Sequence, residues 1–497
     1  MPAQPTSRWQ VSGYRFLVRR MEHALVRRDV RMLHDPMRAQ SRALTVGVIL
    51  ACLGLAACGV LALLKPQDRI GDNKILVGKD SGAMFVVLGD TVHPVMNLAS
   101  ARLAVGEAAK PSMVKDSAIA ARPRGPLVGI PGAPSALPFD AKGTGRTWTV
   151  CDTVSTDGGS TASNSVVIGS LDSSGERAAP LQTGEALLLE SGAETFLVFE
   201  GRRAEIDLDD RAVTAALGLE GVDPRPASAG LLNAIPEVPA IAVPRIQGTG
   251  SIPSYPVSNL RVGSVVQISR GGTVSHFVVL RDGLQLISAA TGDIIRAADS
   301  QGTTEVTKLA PDVLNKVPIV DELDVSGFPQ SVPTVVNPRD KPVGCLSWSP
   351  ITGESDNVES ASGVVHAEVS VLAGRGLPIA DKAKLVQLAQ ADGSGTKADR
   401  AYFAPGSGAY LQTTGITPTS ERKDSLFFVS DTGVRYGIAN AEAAKLLGME
   451  VRPEPAPWQI VGLLAPGPAL GRSEAMVAHD GVEPDSAPAA LTSSSTR

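Results

Sequence analysis

The residues from Ala43 to Leu64, ALTVGVILACLGLAACGVLALL, form an apolar run without one charged side chain. As a helix it rises ~1.5 Å per residue and covers about 30 Å, the hydrocarbon thickness of a bilayer. Ahead of it stand nine arginines (Arg8, Arg15, Arg19, Arg20, Arg27, Arg28, Arg31, Arg38, Arg42) against three acids, whereas Lys65, Asp68, Arg69, Asp72 and Lys74 mix both signs just after it. By the positive-inside rule the N-terminus is cytoplasmic and the chain beyond Lys65 is exported.

Two other readings would release the chain from the membrane. A cleaved signal peptide needs a short basic leader, yet some forty residues precede the apolar core. A lipid-attachment box is suggested by Leu55-Ala56-Ala57-Cys58, but the run continues apolar through Val60, Leu61, Leu63 and Leu64, where a mature lipoprotein turns polar. Cys52 and Cys58 therefore read as small apolar residues of a single transmembrane helix over 43–64.

The net charge of −5, with the positive charge gathered in the N-terminal segment, makes the exported part acidic and argues against nucleic acid as a partner. Gly 50, Pro 36 and only 4% aromatic residues point to short strands and tight turns, a mixed α+β, β-rich chain. Outside the span the cysteines are Cys151 and Cys345. In an oxidising compartment the default is a disulfide between them; two buried free thiols are the alternative.

Before the span, Tyr14, Leu17, Val18, Met21 and Leu25 recur at i, i+3, i+4, i+7 and i+11, with arginines including Arg19, Arg20, Arg27 and Arg28 on the other faces. The pattern predicts a basic amphipathic helix over 6–32, ended or kinked at Asp35-Pro36. Such a helix either lies on anionic inner-leaflet lipid or docks on a cytoplasmic partner.

After the span, Met84 to Leu88, Phe196 to Phe199, Phe277 to Leu280 and Leu426 to Val429 are each followed by a Gly- or Asp-containing turn, a second strand and a helix-compatible segment. The helical segments are Leu98 to Leu103, Asp209 to Leu217, Asp293 to Ala298 and Ala441 to Leu447. Four copies of a hairpin-plus-helix repeat are expected, each too small to bury a core alone. Pro/Gly-rich stretches between them, such as Gly129 to Pro134, read as ordered connections. Strand-like runs outside the repeats include Thr147 to Val150, Ala186 to Leu189, Val262 to Ile268 and Gly363 to Leu372. The cysteines lie beside such strands, which suggests a central β domain stapled by the disulfide. The expected division is 1–42 cytoplasmic helix, 43–64 span, 65–110 repeat 1, 111–190 central domain, 191–250 and 251–325 repeats 2 and 3, 326–420 central domain again, 421–470 repeat 4 and 471–497 flexible tail.

No catalytic constellation is visible. Gly78-Lys79 is followed by Asp80, so a phosphate-cradling P-loop is missing. Gly406-Ser407-Gly408 reads as a turn rather than a nucleophile elbow. The six histidines show no metal-ligand spacing, His93 and His276 read as structural, and no cofactor is expected. Asp209-Asp210 and Asp321-Glu322 read as helix caps or solvent-facing carboxylates.

Several motifs resemble the EccB family, the single-pass membrane component of mycobacterial type VII (ESX) secretion. They include Gln10 to Leu17, Arg27 to Met32, Asn97 to Leu103, Gly129 to Pro134, Trp148 to Asp152 and Ser430 to Gly437, which together span almost the whole chain. The resemblance implies an inner-membrane subunit that joins EccC-, EccD- and EccE-like proteins in a ring-like complex. Its periplasmic part would hold a central β domain, four repeats and a disulfide that Cys151 and Cys345 match by position beside Trp148 and Trp348. It further implies self-association through the periplasmic domain. Members of the family are often labelled ATPases, which is kept as an alternative; a cell-wall (peptidoglycan) binding module on a membrane anchor is the other.

Overall fold

The computed structural model describes residues 7–31, 36–64, 70–138, 145–155, 162–257, 259–351 and 364–482. The chain divides into two compact units, residues 1–71 with 114–119, and residues 72–113 with 120–497.

In the first unit, helix α1 (Arg8–Arg27) and helix α2 (Pro36–Leu64) are the long elements. Ser7 caps α1: its side chain accepts from the Gln10 amide while the Gln10 side chain accepts from the Ser7 amide, a capping box. Arg28 turns left-handed (φ 55°) and its N–H closes on the Ala24 carbonyl, so α1 stops short of the expected Met32. The predicted break at Asp35 lies outside the described residues. Pro36 opens α2, a position where its missing N–H is not needed.

The second unit is built on a seven-strand path ordered Val386–Gln387, Arg400–Tyr402, Ala162–Ile168, Trp148–Val154, Val343–Pro350, Val365–Gly374, Thr419–Ser420. Its central strands run antiparallel, and Trp148 pairs directly with Trp348 and Cys151 with Cys345. Alternation sends Trp148, Val150, Val166, Ile168, Leu346 and Trp348 into one core. Cys151, Cys345, Val343 and Leu372 fill a smaller cluster with Ala178.

Four small sheets surround it. The first is the meander Ile75–Gly78, Met84–Leu88, Thr91–Pro94, followed by α3 (Leu98–Val105). The second runs Glu185–Ser191, Glu194–Phe199, Arg202–Ile206, followed by α4 (Arg211–Ala216); α5 (Ala229–Ala234) comes later. The third runs Val265–Arg270, Thr273–Val279, Leu284–Ile287 with α6 (Ala289–Ala298), and the fourth Gly408–Thr414, Leu426–Ser430, Val434–Ile438 with α7 (Ala441–Leu446). In the second, third and fourth sheets a strand after the helix returns parallel to the first strand, as Arg225–Pro226, Thr307–Leu309 and Glu454–Pro457.

The cores chain these sheets together. Leu187, Leu189, Phe196 and Val198 of the second sheet and Leu411, Phe427 and Val429 of the fourth join the Trp148–Trp348 core. The opposite face of the second sheet shares a core with the third and with Val213, Ile294 and Ile295 of α4 and α6. That of the fourth shares one with Leu103 and Ala104 of α3. Strands buried on both faces explain why Phe-Leu-Val-Phe and Leu-Phe-Phe-Val are continuous apolar runs.

Several expected boundaries move. The strand covering Ala186 to Leu189 belongs to the second sheet, that covering Val265 to Ile268 to the third, and Gly408–Thr414 to the fourth, rather than lying outside the repeats or in a central domain reaching 190 and 420. A strand's apolar pattern announces a strand but not its partner. The tail also begins later than 471. Residues Arg472–Ala475 form a helical turn and Ala478–His479 pairs with Leu127–Val128, while 483–497 lie outside the described residues.

Candidate functional site

On α1 the capping geometry fixes the register, and the stripe follows from it. Tyr14, Leu17, Met21 and Leu25 are exposed by between 59% and 75%, while Val18 is half-buried. Apolar side chains of this size at helical spacing have not been spent on the chain's own core. Arg19, Arg20, Arg27 and Arg28 are all solvent-exposed around them. On α2 the stretch Gln40–Leu61 is long and apolar enough to cross a membrane, and none of it is buried within the chain. Cys52 and Cys58 lie on it as exposed free thiols.

Cys151 and Cys345 are bonded to each other across neighbouring strands, their Cα atoms 4.0 Å apart and both side chains buried. Three residues along each strand, Trp148 and Trp348 are fully buried. Arg225 closes the same region. Its guanidinium donates to the Lys341 carbonyl (2.9 Å) and lies where a Cβ on Gly344 would fall, 2.9 Å from Nη1. Burial pushes Arg225 down to about 10, opposed by the carboxylate of Asp152.

Asp152 follows the disulfide cysteine and points to the Trp148 side of the sheet, only 2% exposed. It accepts from the Ser228 amide (2.6 Å), from Ser228 Oγ (2.8 Å) and from Asn164 Nδ2 (3.0 Å). Ser228 is the N-cap of α5, its Oγ accepting from the Leu231 amide. Asn164, opposite Asp152 in the ladder, donates its backbone N–H to Asp399 Oδ2 (3.0 Å). Desolvation pushes the Asp152 carboxyl up to about 6 against the pull of the Ser228 and Asn164 hydrogen bonds, and the charge of Asp399 adds to the rise. The sequence reading missed this cluster. Its signal was Asp152 itself, in the same alternating phase as Trp148 and Val150 and so on a buried face.

The remaining candidates resolve into structure. Gly78-Lys79-Asp80 lies at the turn between the first two strands of the first sheet, with Gly82 N–H bonded to the Gly78 carbonyl. A phosphate cradle instead opens a helix. His93 Nδ1 lies 3.1 Å from the Pro126 carbonyl and His276 Nε2 2.9 Å from Gln267 Nε2. Asp210 caps α4. Asp321 Oδ1 accepts from Gln285 Nε2 (3.0 Å). Among the described residues no three His, Cys, Asp or Glu side chains gather as a metal site.

The family described as "Type VII secretion system ESX-1, transport TM domain B" matches residues 3–484. The chain belongs to the EccB family. Among its relatives, the ESX-3 secretion system ATPase EccB3 of Mycolicibacterium smegmatis is 43% identical over 487 residues, covering 96% of this chain and 91% of the relative. The ESX-5 secretion system ATPase EccB5 of Mycobacterium marinum is 36% identical over 505 residues, covering 98% and 96%. A chain of an intact ESX-5 inner membrane complex superposes with a TM-score of 0.74 at 34% identity, covering 99% of both chains. The EccB3 dimer from an ESX-3 core complex gives 0.69 at 39% identity over 82% of this chain and 100% of that one. Membership of a membrane transport family agrees with the exposed apolar face of α2.

Proposed function

We propose that this EccB-family protein is a structural membrane subunit of a type VII (ESX) secretion complex, anchoring and bracing the assembly on its periplasmic side. The observation that carries this is the match to a chain of an intact inner membrane complex over 99% of both chains, so that the apolar helix and the sheets correspond together. In this reading α2 spans the inner membrane, the arginine-rich segment keeps the N-terminus cytoplasmic, and the second unit is periplasmic. The last point draws support from a match at 35% identity, covering 84% of this chain, to a chain of the periplasmic assembly from an ESX-5 inner membrane complex.

The exposed stripe of Tyr14, Leu17, Val18, Met21 and Leu25, flanked by Arg19, Arg20, Arg27 and Arg28, is the surface by which α1 docks on EccC-, EccD- or EccE-like subunits or on inner-leaflet lipid. The four small sheets are copies of one repeat arranged about the disulfide-stapled central sheet. Copies of the chain associate through this periplasmic part, as the dimer named in one related structure suggests. Replacing Leu17 and Met21 by Asp tests the docking. Loss of co-purifying partner subunits, with an unmoved thermal transition, assigns the stripe to those subunits; full retention of partners refutes docking on them and leaves the lipid surface.

A second reading is carried by the word ATPase in the relatives' names. It predicts ATP turnover by the purified chain that one point substitution abolishes. The hairpin position of Lys79 favours the scaffold, whose purified chain has no turnover once co-purified motor subunits are removed.

A further inference from the structure

In three of the four small sheets, chain that follows the helix runs parallel along the outer edge of the third strand and touches it twice. In the first sheet Val92 bridges Arg124 and Val95 bridges Val128. In the second Arg203 pairs with Glu237 and Ile206 with Ile241; in the fourth Arg435 pairs with Pro466 and Ile438 bridges Leu470. The second contact of each set seats an aliphatic side chain: Val128, Ile241 and Leu470 are all buried. It also closes the strand edge. The Leu470 N–H donates to Gly437 O and the Ala439 N–H to Leu470 O, as the Met96 N–H does to Val128 O.

Among the described residues, the third sheet makes the first contact without the second. Leu284 bridges Ile319, its N–H donating to Pro318 O and its carbonyl accepting from the Val320 N–H. Leu323 follows Ile319 at the spacing that separates Pro466 from Leu470. Its backbone is held by a side chain instead: Gln285 Oε1 accepts from the Leu323 N–H and Gln285 Nε2 donates to the Leu323 carbonyl, both at 2.8 Å. Buried Gln285 thus takes the bonds that a strand edge makes to Leu470 and leaves Leu323 unpaired with Ile287. Alternation turns Leu286 O and the Ser288 N–H outward, the counterparts of Gly437 O and the Ala439 N–H. Among the described residues no backbone group of the chain bonds to either from that side.

An open groove of about 450 Å³ lies here, lined by Leu286, Ile287 and Ser288 on one side and Asp321 and Leu323 on the other. Its rim is acidic: Glu322 and Asp324 are exposed beside Asp321, and among the described residues no lysine or arginine lines the groove. A sheet edge with free backbone groups is a template for an added strand, whose main chain gives affinity and whose seated side chain gives selectivity. We propose that Leu286–Ser288 is a strand-acceptor site, where an extended basic segment of a partner protein adds in parallel. The segment seats one Val, Ile or Leu opposite Ile287 and presents Lys or Arg to Asp321, Glu322 and Asp324. The N–H of the seated residue donates to Leu286 O and its carbonyl accepts from the Ser288 N–H, as Leu470 does in the fourth sheet.

The probe is a fluorescent peptide, Lys-Val-Pro-Ala-Ile-Ala-Lys, which copies residues 238–242 of the second sheet's returning strand between two lysines. It is titrated by anisotropy against the full chain in lipid nanodiscs, with hydrogen exchange followed at the Ser288 amide. The expected result is saturable binding that protects this amide about tenfold or more. Methylating the peptide's isoleucine nitrogen removes the donor to Leu286 O and weakens binding about tenfold. Glu322→Gln with Asp324→Asn, both exposed, weakens it about fivefold and flattens its salt dependence. Gln285→Leu frees Leu323 to close on the edge, so the Ser288 amide is protected without peptide and binding is lost. Should Gln285→Leu fail to fold, the methylated peptide and the rim variant still decide. Binding without Ser288 protection, a methylated peptide that binds as tightly, an unchanged affinity in the rim variant, or a folded Gln285→Leu chain that binds as before overturns the site. Ser288 protection that rises with chain concentration in the absence of peptide makes a second copy the occupant and overturns the partner.

Discussion

Replacing both Cys151 and Cys345 by Ala removes a cross-link between residues 194 apart in sequence. The loop is long, and in the chain-entropy treatment its closure restricts the unfolded chain by about 5 kcal/mol at 25 °C. The folded side changes little, since two small buried side chains are exchanged for two others. With unfolding entropy of about 2 cal/mol/K per residue, some 400 residues melting together convert that loss into a fall in Tm of roughly 6 °C. Scanning calorimetry of the full chain in detergent, with and without reductant, measures it. The unsubstituted protein melts lower with reductant only after long incubation, because Cys151 and Cys345 are 0% and 1% exposed. The double variant melts lower in both conditions. A double variant that melts within a degree of the unsubstituted protein refutes the view that the staple holds the central sheet through the unfolded chain.

Other perturbations report on neighbouring features. Trp348→Ala, in the core shared by the central, second and fourth sheets, costs about 3–5 kcal/mol by denaturant titration. Gly344→Ala drives a methyl group into the Arg225 guanidinium and costs about 1–3 kcal/mol, which Arg225→Met partly restores. Because its folded carboxyl lies above its unfolded value, Asp152 contributes stability that is fully present below about pH 4 and is lost as pH rises through about 6. At most that amounts to about 3 kcal/mol. Melting curves of Asp152→Asn therefore flatten over this window relative to the unsubstituted protein.

The two N-terminal helices were legible because each rests on one strong local signal: the charge-free run for α2, and the i, i+3, i+4, i+7 stripe for α1. The small sheets were legible as hairpins because a Gly or Asp turn separates two apolar runs, as at Gly201-Arg202 and Asp282-Gly283. Their first strands were harder to assign. Glu185–Ser191 reads equally well as part of a neighbouring sheet until Gly192 (φ 65°) is recognised as the turn that folds it back on Glu194–Phe199. Gly271 (φ 58°) and Gly272 (φ 86°) do the same for Val265–Arg270, a Gly-Gly pair in the positive-φ turn that hairpins favour.

What local pattern does not carry is the meeting of Asp152, Asn164, Ser228 and Asp399, four residues spread over almost 250 positions and joined only by tertiary packing. The Pro-rich stretch Gly129 to Pro134 shows the reverse case. It reads as an ordered connection, and Ile130 is fixed at both backbone groups, its carbonyl by Asn97 Nδ2 and its N–H by Ser100 Oγ. The tail reading failed at its boundary because Ala478–His479 finds its partner strand some 350 residues earlier, beyond the reach of composition.

The most direct test of the scaffold role is gentle detergent extraction of the tagged full-length chain from its native membrane, followed by native electrophoresis and mass spectrometry of the migrating species. The account predicts a single large complex containing EccC-, EccD- and EccE-like proteins, from which the Leu17→Asp/Met21→Asp variant is missing. A chain that migrates alone under conditions that keep those other subunits together contradicts it.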